Sequence, residues 1–197
     1  MSLTWSRDTD AARWLLGATV PWTRLVELGP DGFAAYARLR IVPDPVRDGQ
    51  TEADQDLPDD HPSELEQVRL CLEVLAGWTT TPDTCWFAVW DGYPGSLDVP
   101  ADLPRFDVVG EGLGAVRRYG LLRGSVSDLE HWDEVAPGFL AAPAFVWPDD
   151  RRWCLAKDVD PHWAGIGGEP PAIEALLDRT DLDVVRTDPE EPQPYYR

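Results

Sequence analysis

Asp158, Asp160 and His162 alternate along a short run, so on an extended strand they would project from one face as two oxygen ligands and one nitrogen for a divalent metal. Pro161 interrupts such a strand, and Asp-Val-Asp-Pro is ordinary turn composition. The run therefore reads as a turn, with no metal. GIGGEPP, from Gly165 to Pro171, sets glycines before a helix start, where a phosphate could rest on free backbone N–H groups. The lysine of a phosphate-binding loop is missing, however, and Glu169 puts an anion where the phosphate would sit. A strand-to-helix turn is the better reading. His61, His131 and His162 stand in unrelated contexts, and Cys85 and Cys154 lie inside apolar runs, away from any helix start or base that would activate a thiol. No Gly-x-Ser-x-Gly elbow is present. No catalytic residue and no cofactor follows from these patterns.

The remaining chemistry is aromatic. CWFAVWDGY, from Cys85 to Tyr93, is apolar at successive positions, the pattern of a strand buried on both faces, which assigns Trp86 and Phe87, and Trp153 with them, to the core. Trp90 and Tyr93 flank an Asp-Gly turn at the strand end. There they could line a pocket mouth with Trp163, and Arg151 or Arg152 of a nearby turn could stack on the rings.

The elements that must position these residues follow from periodicity. A short helix is expected over Asp8–Leu16, a half-exposed strand over Phe33–Ile41 and a well-marked helix after Ser63. In that helix Ser63 and Glu66 form a capping box and Leu65, Val68, Leu72 and Leu75 share a face. Further strands are expected at Cys85–Trp90, Arg118–Arg123 and Leu182–Arg186. A helix is placed at Ser127–Trp132, and a hairpin joins Phe145–Trp147 to Trp153–Leu155, with Pro148 and Asp149 as the central residues of its turn. After a strand and a glycine break, Pro170 and Pro171 open a last helix. These elements make one α+β domain spanning 1–197, a mainly antiparallel twisted sheet with three to four helices packed on it. An acidic mobile loop at about 44–61 and a flexible tail at about 188–197 complete it.

GFAAYARLRIVPDP, CWFAVWDGY and WPDDRRWCLAKDVDPHWAGIGG, followed by the helix AIEALLD, resemble a family of uncharacterised proteins from high-GC actinobacteria. The resemblance runs from about Trp22 to Val185. It implies a shared fold and carries no chemistry, and the segment around 96–116 is expanded relative to it.

Charge sets the functional classes. Of 197 residues, 36 are Asp or Glu and 17 Lys or Arg, a net charge of −19, and Lys157 is the only lysine. A chain without a basic footprint has little to offer phosphate, so nucleic acid is not an expected partner. The N-terminus is polar, no run is long and apolar enough to span a bilayer, and Cys71, Cys85 and Cys154 form no Cys-x-x-Cys pair, so a cytoplasmic protein with no membrane partner is expected. Asp54, Asp56, Asp59 and Asp60 crowd the acidic loop. With the acids near the C-terminus they would form a face for a basic protein partner, as in immunity proteins that neutralise cationic toxins. The alternative is a small-molecule pocket or enzyme near Trp90, Tyr93 and the 148–152 turn.

Overall fold

The structure is a computed structural model that describes residues 2–92, 99–136 and 141–196. Among these residues nine strands form one sheet: β1 (Thr4–Trp5), β2 (Ala35–Arg40), β3 (Cys85–Trp90), β4 (Phe106–Gly110), β5 (Gly114–Gly124), β6 (Phe145–Pro148), β7 (Trp153–Ala156), β8 (Trp163–Gly168) and β9 (Val184–Arg186). The order is β1-β5-β3-β6-β7-β8-β2-β9, β4 also pairs with β5, and every pairing is antiparallel. Among the described residues five α-helices accompany it: α1 (Arg13–Leu16), α2 (Trp22–Leu28), α3 (Glu64–Ala76), α4 (Trp132–Val135) and α5 (Pro170–Leu177). None is long and apolar enough to cross a membrane.

Helices cover both faces of the sheet. On one, Val68, Cys71, Leu72 and Leu75 of α3 and Ile173 and Leu176 of α5 pack with Leu39, Phe87, Leu122, Val146, Leu155 and Ile166. On the other, Leu15 of α1 and Leu25 and Val26 of α2 pack with Ala88, Tyr119, Leu121, Phe145, Trp147 and Cys154. The double cover explains why β3, β6, β7 and β8 are apolar at successive positions. It also corrects the half-exposed reading of Phe33–Ile41. Tyr36 and Arg38 on the supposed outer face of β2 are only 7% and 6% exposed. Arg38 can be buried because a carboxylate goes in with it.

The helix missing from the sequence reading is α2. Its signals were present: Pro21 immediately before it, and after it Gly29, which takes a positive φ of 80° that a residue with a side chain would resist. The capping box of α3 forms as the pattern predicts, with the Ser63 N–H donating to Glu66 Oε2 at 2.8 Å and the Glu66 N–H donating to Ser63 Oγ at 3.3 Å. Such caps stabilise a helix by about 1 kcal/mol. The glycines of GIGG are not a break, since they lie inside β8. A Cβ on Gly165 would come within 2.3 Å of the Glu27 carbonyl oxygen, and one on Gly167 within 2.3 Å of the Phe33 ring. Their absence lets the end of α2 lie directly on the sheet, and that close approach places Glu27. At the hairpin, the Arg151 N–H bonds the Pro148 carbonyl at 2.9 Å, so Pro148 takes the first position of the turn, which opens one residue later than expected, and Arg151 closes it at a φ of 57°.

Candidate functional site

Strand register decides which of the predicted site residues can meet. Cys85 pairs with Pro148, so Arg151 and Arg152 sit at the start of β3 while Trp90 sits at its end. Five residues of strand separate the two by about 17 Å. The pocket expected from Trp90, Arg151 and Arg152 is therefore not assembled, and Arg151 lies over Trp14 instead, 5.6 Å from the ring. Tyr93 falls outside the described residues. Trp163 is on the same face and at the same end of the sheet as Trp90, three strands away, but it is fully buried. The Arg38 guanidinium lies 5.4 Å from its ring, and its Nε1–H donates to the Pro194 carbonyl at 3.1 Å. Trp86 is only partly buried; it donates to Asp149 at 3.1 Å under the Arg123 guanidinium. Phe87 and Trp153 are fully buried, as expected.

The cation that reaches Trp90 is Arg117 on β5, 5.1 Å from that ring and 5.7 Å from Trp22 of α2. It donates to both oxygens of Asp158, at 2.9 and 2.8 Å, and to Asp160 at 3.3 Å. Glu27 lies close by. Burial raises its pKa and the charges of Asp158 and Asp160 add to the rise, against a hydrogen bond from the Tyr195 hydroxyl. Asp158 and Asp160 thus turn to Arg117, whereas His162 turns away to Asp44, at 3.0 Å. Among the described residues no three His, Cys, Asp or Glu side chains gather as metal ligands. Burial lifts the thiol pKa of Cys71 and Cys85 to about 12, and that of Cys154 rises for the same reason. None of the three is primed as a nucleophile.

Asp44 is the hub of a second cluster. Arg38 donates to its two oxygens at 2.8 and 3.1 Å, and Arg40 adds a contact at 3.4 Å. Burial works against its ionisation, but hydrogen bonds from Arg38 and His162 and the charges of Arg38 and Arg40 outweigh it and hold its pKa at about 2. Burial in turn lowers the pKa of His162, only partly offset by Asp44. Next to an ionised Asp44, Nε2 of the neutral ring must carry the proton.

The segment expected as an acidic mobile loop makes hydrogen bonds of its own. Gln50 is 6% exposed and its side-chain oxygen accepts the Val46 N–H at 2.8 Å, and Glu52–Asp54 form a capped helical turn. The tail is tied to it. Gln55 donates to the Tyr196 hydroxyl at 2.6 Å, that hydroxyl donates to the Pro43 carbonyl, and Gln193 bonds the carbonyls of Asp188 and Glu191 at 2.9 and 2.7 Å. Exposed Asp48, Glu52, Asp54, Asp56, Asp59 and Asp60 are thereby joined to exposed Asp188, Glu190 and Glu191, far away in sequence. Between the two segments lies a cleft of about 430 Å³ lined by Pro45–Gly49 and Gln193–Tyr195. Val46 there is 87% exposed and Tyr195 37%. The sequence reading named neither, although a lone valine in an acidic run and a Tyr-Tyr pair in a polar tail were signals available to it.

The cations that meet this face are Arg47, 3.7 Å from Asp54, and Arg24, 3.8 Å from Glu190. Arg38, Arg40, Arg105, Arg117, Arg118 and Lys157 each meet a carboxylate elsewhere at 2.5 to 3.3 Å. No known family, curated protein or solved structure matches the chain significantly, so the reading of the site rests on its own geometry.

Proposed function

We propose that the chain is a binding module that holds a basic protein on its acidic face, in the way an immunity protein holds a cationic toxin. The observation that carries this reading is the joining of the 48–60 acids to the 188–191 acids by the Gln55–Tyr196–Pro43 hydrogen bonds. Arg47 and Arg24 answer two of these acids, Asp54 and Glu190, and the acids beside them outnumber those cations, which leaves a net negative field at this surface. A field of that kind raises the encounter rate with a cation and does little once the partners are docked. The experiment is stopped-flow association with cationic proteins encoded beside the gene, using lysozyme and cytochrome c as controls. From ~0.01 to ~0.15 M salt the screening length falls from about 30 to about 8 Å, and the association rate with the true partner should drop more than about tenfold. A rate indifferent to salt, or equal affinity for the controls, overturns the reading.

A second reading has one feature in its favour. Trp90 and Arg117 line a cleft of about 310 Å³ with Asp91, Gly92, Ala115, Val116 and Arg118. A small planar ligand could stack there, and its binding would be almost unaffected by salt.

A further inference from the structure

Val46 is the most exposed large apolar side chain among the described residues, ahead of Leu113 and Val109. It is an aliphatic side chain 87% exposed on backbone that is held firmly, because its N–H is bound by Gln50, itself 6% exposed. Tyr195 faces the same cleft, and its ring packs against Trp163 at 6.0 Å. Pro45 and Pro194 add apolar surface, and Asp48 lines the rim. Arg47, in the same wall, faces Asp54 at 3.7 Å. Exposed apolar side chains set among charged ones are what a protein interface covers, where the apolar contacts supply affinity and the charges supply orientation.

Resting on the reading above, we propose that this cleft is the docking point, and that it takes a cationic segment carrying one large apolar side chain. That side chain lies on Val46 and Tyr195, and its flanking arginines or lysines face Asp48, Glu52 and Glu191. Charge complementarity selects this occupant. A second copy of the chain would bring another net charge of −19 to the same face, and nucleic acid would bring phosphates to it. The volume of about 430 Å³ accommodates a side chain and its neighbours rather than a whole helix.

The test uses the full chain, labelled for NMR, and two peptides at low salt: arginines flanking a central leucine, and the same peptide with serine for leucine. The leucine peptide should bind about tenfold more tightly, roughly what burying one apolar side chain supplies. It should shift the amides of Val46–Gly49, Gln193 and Tyr195. Val46→Ser, with an unchanged melting temperature, should abolish the preference. Equal binding of both peptides, or shifts confined to Asp54–Asp60, would show that charge alone is read and overturn the docking point while leaving the acidic face. Binding of neither peptide would overturn the acidic-face reading itself. A dimer in sedimentation that Val46→Ser disperses would assign the cleft to self-association, against the proposal.

Discussion

Asp44 and Asp48 stand four residues apart in one acidic run, and the structure uses them in opposite ways. Asp44 is turned inward, where Arg38, Arg40 and His162 converge on it. Asp48 and the acids after it are turned to water beside the cleft. Arg38 explains the difference. It is 6% exposed, and its Nε has no hydrogen-bond partner, so the two contacts to Asp44 are what compensates its burial. A carboxylate that answers a buried cation belongs to the fold, whereas one that faces solvent is available to something outside it. Composition counts the two alike, and only burial separates them.

The sharpest way to break the comparison is Asp44→Ala. It would strand the Arg38 guanidinium in the interior, and removing one partner of a buried pair costs about 3 to 5 kcal/mol. Urea denaturation should show a loss of that size. A loss below about 1 kcal/mol would place Asp44 with the exposed acids.

Trp86 and Trp147 repeat the contrast with rings. They are direct cross-strand partners on β3 and β6 and face the same side of the sheet. Trp147 is 1% exposed, whereas Trp86 packs between the Arg123 guanidinium and the turn at Asp149. Trp147→Ala should cost about 3 to 5 kcal/mol and Trp86→Ala about 1 to 2 kcal/mol. Equal losses in thermal and urea unfolding would mean that position on the strand matters more than cover.

This pair also marks how far the sequence can be read. Period and capping revealed the buried strand Cys85–Trp90, the helix after Ser63 and the antiparallel α+β class, because those signals are local. That Trp86 has less cover than Trp147 depends on where α1 and α2 come to rest, which no local pattern states. The candidate site was legible in composition but not in place. The loop acids and tail acids were visible as charge, yet their joining depends on Tyr196 reaching Pro43 across the length of the chain. Arg151 and Trp90 could be put together on paper because residue types do not reveal which end of a strand they occupy; register does.

Acidification should separate the same two groups of carboxylates. The pKa of Asp44 is depressed from 3.8 to about 2 in the folded chain. Its contribution is therefore fully present above pH 3.8 and lost as pH falls through about 2, a change of about 2 kcal/mol. His162 is also depressed, by burial. The unfolded imidazole takes up a proton first, so stability from this residue begins to fall below about pH 6.5. Glu27 has the opposite sign: its pKa is raised, and what its protonated form contributes is lost as pH rises. Unfolding free energy measured from pH 7 down to 2 should decline in two stages. Asp44→Ala should flatten the lower one, and an unchanged slope in that variant would mean another carboxylate carries it.

The smallest effect on stability should come from the acids with the most exposed charge. Asp56, Asp59 and Asp60 are exposed and make no hydrogen bond or ion pair among the described residues, whereas Asp54 accepts the Thr51 N–H at 2.8 Å and is left intact. Changing the three to Asn removes mutual repulsion and breaks no contact. Stability should move by no more than about 0.5 kcal/mol, and upward if it moves. The same variant should slow association with a cationic partner several-fold at low salt and leave dissociation almost unchanged, because rim charges act on encounter rather than on the docked complex. A loss above about 1 kcal/mol would show that the loop needs these charges to fold, and the division between inward and outward acids would fail at its outer side. Unchanged stability together with an unchanged association rate would leave the division standing and take these three residues out of the docking surface.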